Sequence, residues 1–217
     1  MKNPKKTFLI IGMGSFGHQL CRALAESDCE IMIVDRNGEM LEDMLPCAVS
    51  AKVGDCTRPE VLRTFDIPAF DACFVCIGED FQNSLEITSL LKELGARQVY
   101  SKAETEVQAK FLLRVGADQV IYPERDMARR IAYSVSSDNI FDYISLGGDY
   151  SLFELEVQPQ WVGRSISALD FRSHYRVTIL AIKKGEELLP LPTADYVFCA
   201  GDHIMALGHQ GDIRSLR

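Results

Sequence analysis

The chain has 217 residues, 47% of them hydrophobic, enough for one solid core or for an α/β domain with a smaller second domain. Its formal net charge is -8, and no basic block follows Lys2, Lys5 and Lys6, so a broad nucleic-acid-binding face is excluded and these lysines read as a solvated tail. No apolar run approaches the ~20 residues that cross a bilayer, and Phe8–Ile11 stops at a glycine, short of a signal-peptide core, so a soluble, cytoplasmic protein is expected.

Phe8-Leu9-Ile10-Ile11 reads as a strand and Gly12-Met13-Gly14-Ser15-Phe16-Gly17 as a glycine turn. An amphipathic helix follows over His18–Ala25, then a strand, Ile31–Val34, that ends on Asp35. Strand, G-x-G-x-x-G, helix and an acid about 20 residues on form the dinucleotide-binding fingerprint. Gly12 lets the chain turn off the strand, Gly14 lets a phosphate approach the backbone, and Gly17 lets the helix pack on the strand. The helix N-terminus offers free N–H groups to an anion. The Asp35 carboxylate is placed to accept bonds from ribose hydroxyls; it disfavours a 2′-phosphate, an effect softened by Arg36. The motif does not choose among NAD, ATP, ADP and AMP, which all carry ribose and phosphate.

Asn37 is expected to cap a helix that runs to Leu45 and stops at Pro46, and Ala48–Val53 reads as a third strand. Gly54-Asp55-Cys56-Thr57 follows it, with Pro59 opening the next helix. Asp55, near the ligand crevice, reads either as a contact to the adenine amino group or as a helix cap. Ala72–Ile77 is a continuous apolar run, as in a strand buried on both faces, and a helix over Phe81–Leu94 ends at Gly95. Gln98–Ser101 is a fifth strand, and Lys102 after it is either a phosphate contact or a solvated lysine. A helix over Glu104–Val115, a short strand over Gln119–Tyr122 and a helix over Arg125–Ser136 complete an alternating series. That series predicts a parallel, doubly wound sheet of Rossmann type over residues 1–137.

Ser136-Ser137-Asp138-Asn139 reads as a polar linker to a small α+β domain over residues 138–217. Leu152–Val157 alternates apolar and acidic residues and is expected to expose one face. Ser165–Phe171 fits a short helix and Val177–Ile182 an apolar strand. Lys183-Lys184-Gly185-Glu186 reads as a turn, Leu188–Leu191 as a strand interrupted by Pro190, and His203–Leu207 as a strand after the turn Gly201-Asp202.

The seven cysteines are scattered, and Cys73 and Cys76 lie on a strand where residues three apart face opposite ways, so neither a shared metal nor a bridge is expected. His18, His174, His203 and His209 form no ligand spacing with them. The second half shows no nucleophile–base arrangement and is small for a catalytic domain. A nucleotide site without visible chemistry favours a sensor over an enzyme; the alternative is a small NAD-dependent oxidoreductase.

The chain resembles the RCK family, the regulators of conductance of potassium, and within it the TrkA/KtrA-like regulatory subunits of bacterial potassium uptake systems. The resemblance rests on the glycine turn, Ile33-Val34-Asp35, Val53-Gly54-Asp55-Cys56-Thr57, Cys76-Ile77-Gly78-Glu79, Leu90–Gly95, Lys102-Ala103, Gly116–Glu124, Thr178–Ile182 and Gly201-Asp202-His203. It implies a non-enzymatic regulator whose homodimers assemble into an octameric ring on a membrane-embedded potassium channel or transporter subunit. Exchange of ATP against ADP, or of NAD against NADH, would gate the pore. Carried onto this chain, Gly12, Gly14, Ser15, Phe16 and Gly17 line the phosphates, Asp35 holds the ribose and Asp55 and Cys56 flank the adenine. Ile77, Gly78, Glu79 and Lys102 close the site. Glu124 matches an acid that helps place a divalent cation such as Mg near the phosphates; it also reads as a first-turn acid stabilising its helix. Ser15 stands where ATP-responsive relatives tend to carry an arginine, so ADP, AMP or NAD(H) is expected to bind as readily as ATP. In some relatives the second domain binds cyclic di-AMP; Ile166 and Arg172 sit at matching positions, with Arg176 in place of a small residue. They read equally as a core isoleucine and surface arginines.

Overall fold

The computed structural model describes residues 4–136, 140–213 and 216. Lys2 of the tail and Ser137, Asp138 and Asn139 of the expected linker lie outside the described residues. The chain divides into two compact units, Met1–Arg125 and Asp126–Arg217, a split twelve residues ahead of the expected boundary at 137.

The first unit runs β1 (Lys6–Ile11), α1 (Ser15–Ala25), β2 (Cys29–Asp35), α2 (Glu39–Glu42), β3 (Ser50–Val53), α3 (Pro59–Leu62) and β4 (Ala72–Val75). It continues with α4 (Phe81–Glu93), β5 (Val99–Lys102), α5 (Glu106–Arg114) and β6 (Gln119–Ile121). The strands pair in parallel in the order β3-β2-β1-β4-β5-β6. The chain winds outward from β1 through β3, then restarts at β4, so the order reverses between β1 and β4. In such sheets a crevice opens at that switch point, outside the carboxyl ends of the strands.

Both faces of the sheet are covered, which is why Phe8–Ile11 shows no alternation. Leu9 and Ile11 join one buried cluster with Val34, Val75, Leu91 and Val99; Ile10 joins another with Met13, Cys21, Ile31 and Ile33. Cys73 and Cys76 fall into these two separate clusters, and burial pushes each thiol up to about 12. All seven cysteines are free.

The helix expected from Asn37 to Leu45 is cut to α2. The Asn37 side chain accepts from the Glu39 N–H at 3.1 Å, and the chain then enters a separate 3-10 turn, Leu45–Cys47. Pro46 sits inside that turn rather than stopping a helix, at a position where its missing N–H costs nothing. Thr105 and Gln108 build a reciprocal capping box that starts α5 two residues later than expected.

α6 (Pro123–Val135) begins the passage into the second unit. Its side chains explain the early split. Arg130 donates to both carboxylate oxygens of Asp142 at 2.8 Å, Tyr133 stacks on Tyr143 at 4.2 Å, and the Ser134 hydroxyl donates to the Phe141 carbonyl at 3.2 Å. The unit continues with β7 (Ile140–Gly147), β8 (Tyr150–Glu156), α7 (Ile166–Leu169), α8 (Phe171–His174), β9 (Val177–Lys184), β10 (Glu187–Pro190), β11 (Asp202–His209) and α9 (Gln210–Ile213). The sheet order is β10-β9-β11-β8-β7, with antiparallel pairings. Phe153, Trp161, Phe171, Phe198 and Ile204 centre its core.

Four expectations change here. β7 has no counterpart among the expected elements; it forms a hairpin with β8 through Gly148, whose φ of 58° is left-handed. Glu154, expected on an exposed face, is only 7% exposed because Lys183 and His203 hold its carboxylate. The helix over Ser165–Phe171 breaks at Asp170 (φ 42°), whose side chain caps α8 through the Ser173 N–H. Lys183 and Lys184 belong to β9, so Gly185-Glu186 alone makes the turn. Pro190 ends an edge strand, where a missing N–H is tolerated. Among the described residues no helix is long and apolar enough to cross a membrane.

Candidate nucleotide-binding site

A cleft of about 620 Å³ opens at the carboxyl ends of the first unit's strands, a volume suited to a small-molecule ligand. Its wall is drawn from the carboxyl ends of β1, β2 and β5 and from the loops and helix starts that follow β1, β2, β3, β4 and β5. Of the residues expected at the phosphate, ribose and adenine positions, Gly12, Gly14, Ser15, Phe16, Asp35, Arg36, Asp55, Cys56, Ile77, Gly78, Glu79 and Lys102 line this one cleft. Gly17 does not; it lies beneath the turn.

The three motif glycines differ in what a side chain there would meet. Gly12 adopts φ 91°, and a Cβ there would come 2.9 Å from the Ile77 side chain. A Cβ on Gly17 would sit 2.1 Å from the Gly12 carbonyl oxygen, so this glycine sets the close approach of α1 to the turn. Gly14 has φ -72° and ψ -172°, ordinary extended backbone, and its Cβ would meet nothing within 4 Å. The protein itself does not demand glycine there; the space it leaves is the cleft.

α1 starts directly after Gly14 with no side-chain cap and no acid in its first turn. Its leading N–H groups therefore present partial positive charge without an internal carboxylate to neutralise it. The Asp35 carboxylate accepts from the Met13 N–H at 2.6 Å and from the Asn37 N–H at 2.8 Å. It thus locks the glycine turn to the end of β2 while facing the cleft.

Asp55 accepts from the Thr57 hydroxyl at 2.7 Å and the Thr57 N–H at 3.1 Å, and these bonds hold its carboxyl below the usual range. It therefore closes a local turn and does not cap α3, whose N-cap is Arg58. Burial pushes the Cys56 thiol up to about 12, leaving an inert apolar wall. Asp80 caps α4 through the Asn83 N–H. The Lys102 ammonium lies over Gly78, where a Cβ would be 2.9 Å from Nζ, and donates to Glu124 at 2.6 Å.

Sequence reading assigned no ligand role to Asn37, Met40, Thr57, Asn83 or Glu104, which also line the cleft. Each follows the carboxyl end of a strand, and that positional rule is the signal that finds them. Among the described residues no group of three or more His, Cys, Asp or Glu gathers to hold a metal. Glu124 brings a single carboxylate to Lys102. Ile166 packs on the second unit's core and Arg172 is exposed.

The profile of the TrkA-N domain matches residues 8–123 and that of the TrkA-C domain residues 152–217. Potassium uptake protein C of the Ktr system of Bacillus subtilis is 37% identical over 209 residues, covering 96% of this chain and 95% of the relative. Potassium uptake protein A of the same system and organism is 34% identical, covering 96% and 94%. Among solved structures, the GsuK channel bound to NAD superposes with a TM-score of 0.68 at 16% identity, over 100% of this chain and 39% of that one. That likeness concerns the fold.

Proposed function

The chain belongs to the TrkA-N/TrkA-C family, the regulators of conductance of potassium, and from that membership we propose that it is a nucleotide-sensing regulatory subunit of a potassium uptake system. The observation that carries the nucleotide part is Gly14: a glycine with no steric need of its own, opening space in front of an uncapped helix N-terminus. An anionic phosphate there would meet free N–H groups, with Asp35 and Arg36 at the ribose side. The relatives named for potassium uptake, alike over nearly the full length, support the transport role. The NAD held by a channel of the same fold supports an adenine nucleotide as ligand.

In this reading the protein performs no bond chemistry. The described lining residues include no histidine or tyrosine to exchange a proton with a nicotinamide substrate, and Lys102 is engaged by Glu124. The chain acts through a membrane-embedded partner, at the inner face of the membrane, as a homodimer built into a larger ring. A nucleotide shifts that assembly only by binding one of its conformations better than another.

Thermal unfolding with ATP, ADP, AMP, NAD and NADH, each with and without magnesium, tests the reading. A ligand at 100 times its dissociation constant adds about 2.7 kcal/mol, an easily seen rise in melting temperature. Ser15, which brings no charge, predicts a shift by ADP or NAD(H) comparable to that by ATP. A melting temperature unmoved by all five would sink the nucleotide reading.

A further inference from the structure

The cleft spans both halves of the sheet. Asp35 and Asp55 lie at or just beyond the ends of β2 and β3, on one side of the switch point, and Gly78, Lys102 and Glu104 at or beyond the ends of β4 and β5, on the other. A dinucleotide lies across such a crevice, its adenosine over one half and its second nucleoside over the other. Over the second half a cation and an acid stand side by side. Lys102 Nζ is 2.9 Å and Glu104 Oε1 3.0 Å from the point that a Cβ on Gly78 would occupy, and glycine leaves that point open. The Lys102 ammonium donates one hydrogen to Glu124 at 2.6 Å and keeps two. The exposed Glu104 carboxylate accepts no hydrogen bond and forms no ion pair among the described residues. Its backbone is nonetheless fixed, because its N–H donates to the Gln108 side chain at 2.8 Å, at the start of α5.

Resting on the nucleotide reading above, we propose that Glu104 is a specificity-determining residue: it favours an adenine nucleotide whose diphosphate carries a second sugar over one that ends in a third phosphate. A hydroxyl both donates and accepts, so the neighbouring hydroxyls of a sugar satisfy the carboxylate and the ammonium together, each through a charge-assisted bond. A terminal phosphate only accepts. The ammonium attracts it, but the carboxylate beside the ammonium repels it at short range. Ser15, on the same cleft wall, brings no positive charge to offset that repulsion.

Calorimetric titration of the full chain with ADP-ribose, ADP and ATP, in EDTA to remove divalent cations, tests the role of Glu104. Glu104→Gln keeps the shape of the side chain and removes the charge. It is expected to weaken ADP-ribose about three- to tenfold, the range for an exposed charge-assisted bond, and to tighten ATP about three- to tenfold. ADP ends before the carboxylate and should change less than either. Glu104→Ala repeats both shifts, and because Glu104 is exposed the free variants should melt as the wild type does. Unchanged or tighter binding of ADP-ribose by Glu104→Gln overturns the proposal, and so does unchanged or weaker binding of ATP. An equal gain for ADP and ATP also overturns it, since that marks general relief of charge repulsion. If the wild type takes up none of the three, the nucleotide reading falls and the role of Glu104 with it. Wild-type uptake without opposed shifts in the variants overturns the role of Glu104 alone.

Discussion

Gly14 and Gly17 stand three positions apart in one motif and yet predict opposite outcomes when given a methyl group. At Gly17 the Cβ would be driven to 2.1 Å from the Gly12 carbonyl, so Gly17→Ala is expected to cost about 1–3 kcal/mol, read as a lower denaturant midpoint of the free protein. A Cβ at Gly14 meets nothing within 4 Å, so Gly14→Val should leave the free protein melting as the wild type does while its nucleotide-induced shift disappears. A Gly14→Val protein that still responds to nucleotide would show that phosphates do not use this space. The fingerprint itself was legible because glycine spacing is a local property. The second task of Asp35, holding the Met13 N–H at 2.6 Å, was not, since it depends on residues 22 apart meeting at a sheet end.

The join between α6 and β7 shows what local pattern leaves out at the level of elements. Arg130 and Asp142 meet through two bonds of 2.8 Å, and the bonds from Arg130 hold the Asp142 carboxyl below its ordinary value of 3.8. A carboxyl depressed in the folded state stabilises the fold above its unfolded value and loses that contribution as pH falls through the folded one. Acid unfolding of the wild type should therefore steepen below about pH 4. Asp142→Asn should lower the denaturant midpoint at pH 7 and flatten its decline between about pH 5 and 3; an unchanged pH profile would show that the pair contributes nothing. Glu154 makes the same point about burial. The alternation Phe153-Glu154-Leu155-Glu156 marks a strand, but only the neighbouring β11 and, one strand further, β9, bringing His203 and Lys183, decide that one of its two acids is sheltered.

At the scale of the whole molecule, a regulator that gates a pore has to convert ligand binding into relative movement of several copies. A single nucleotide cleft suffices for binding; gating requires that copies be held together so that a preference for one conformation is shared. Light scattering on the purified chain should accordingly give an assembly of dimers, with eight copies as the complete ring. A monomer at all concentrations would leave a nucleotide-binding module with no gating device.

Sequence alone determined the parallel doubly wound sheet, the glycine turn and most of the cleft wall, because each rests on short-range signals: continuous apolar strands, glycines at a set spacing, acids at strand ends. Tertiary structure decided the rest. It drew the unit boundary at Arg125/Asp126 and paired β7 with β8. It sheltered Glu154 and set Lys102 against Glu124, 22 residues away. Each of these depends on side chains that only the folded chain brings within bonding distance, and the energy of such a meeting is written in neither partner's own neighbourhood.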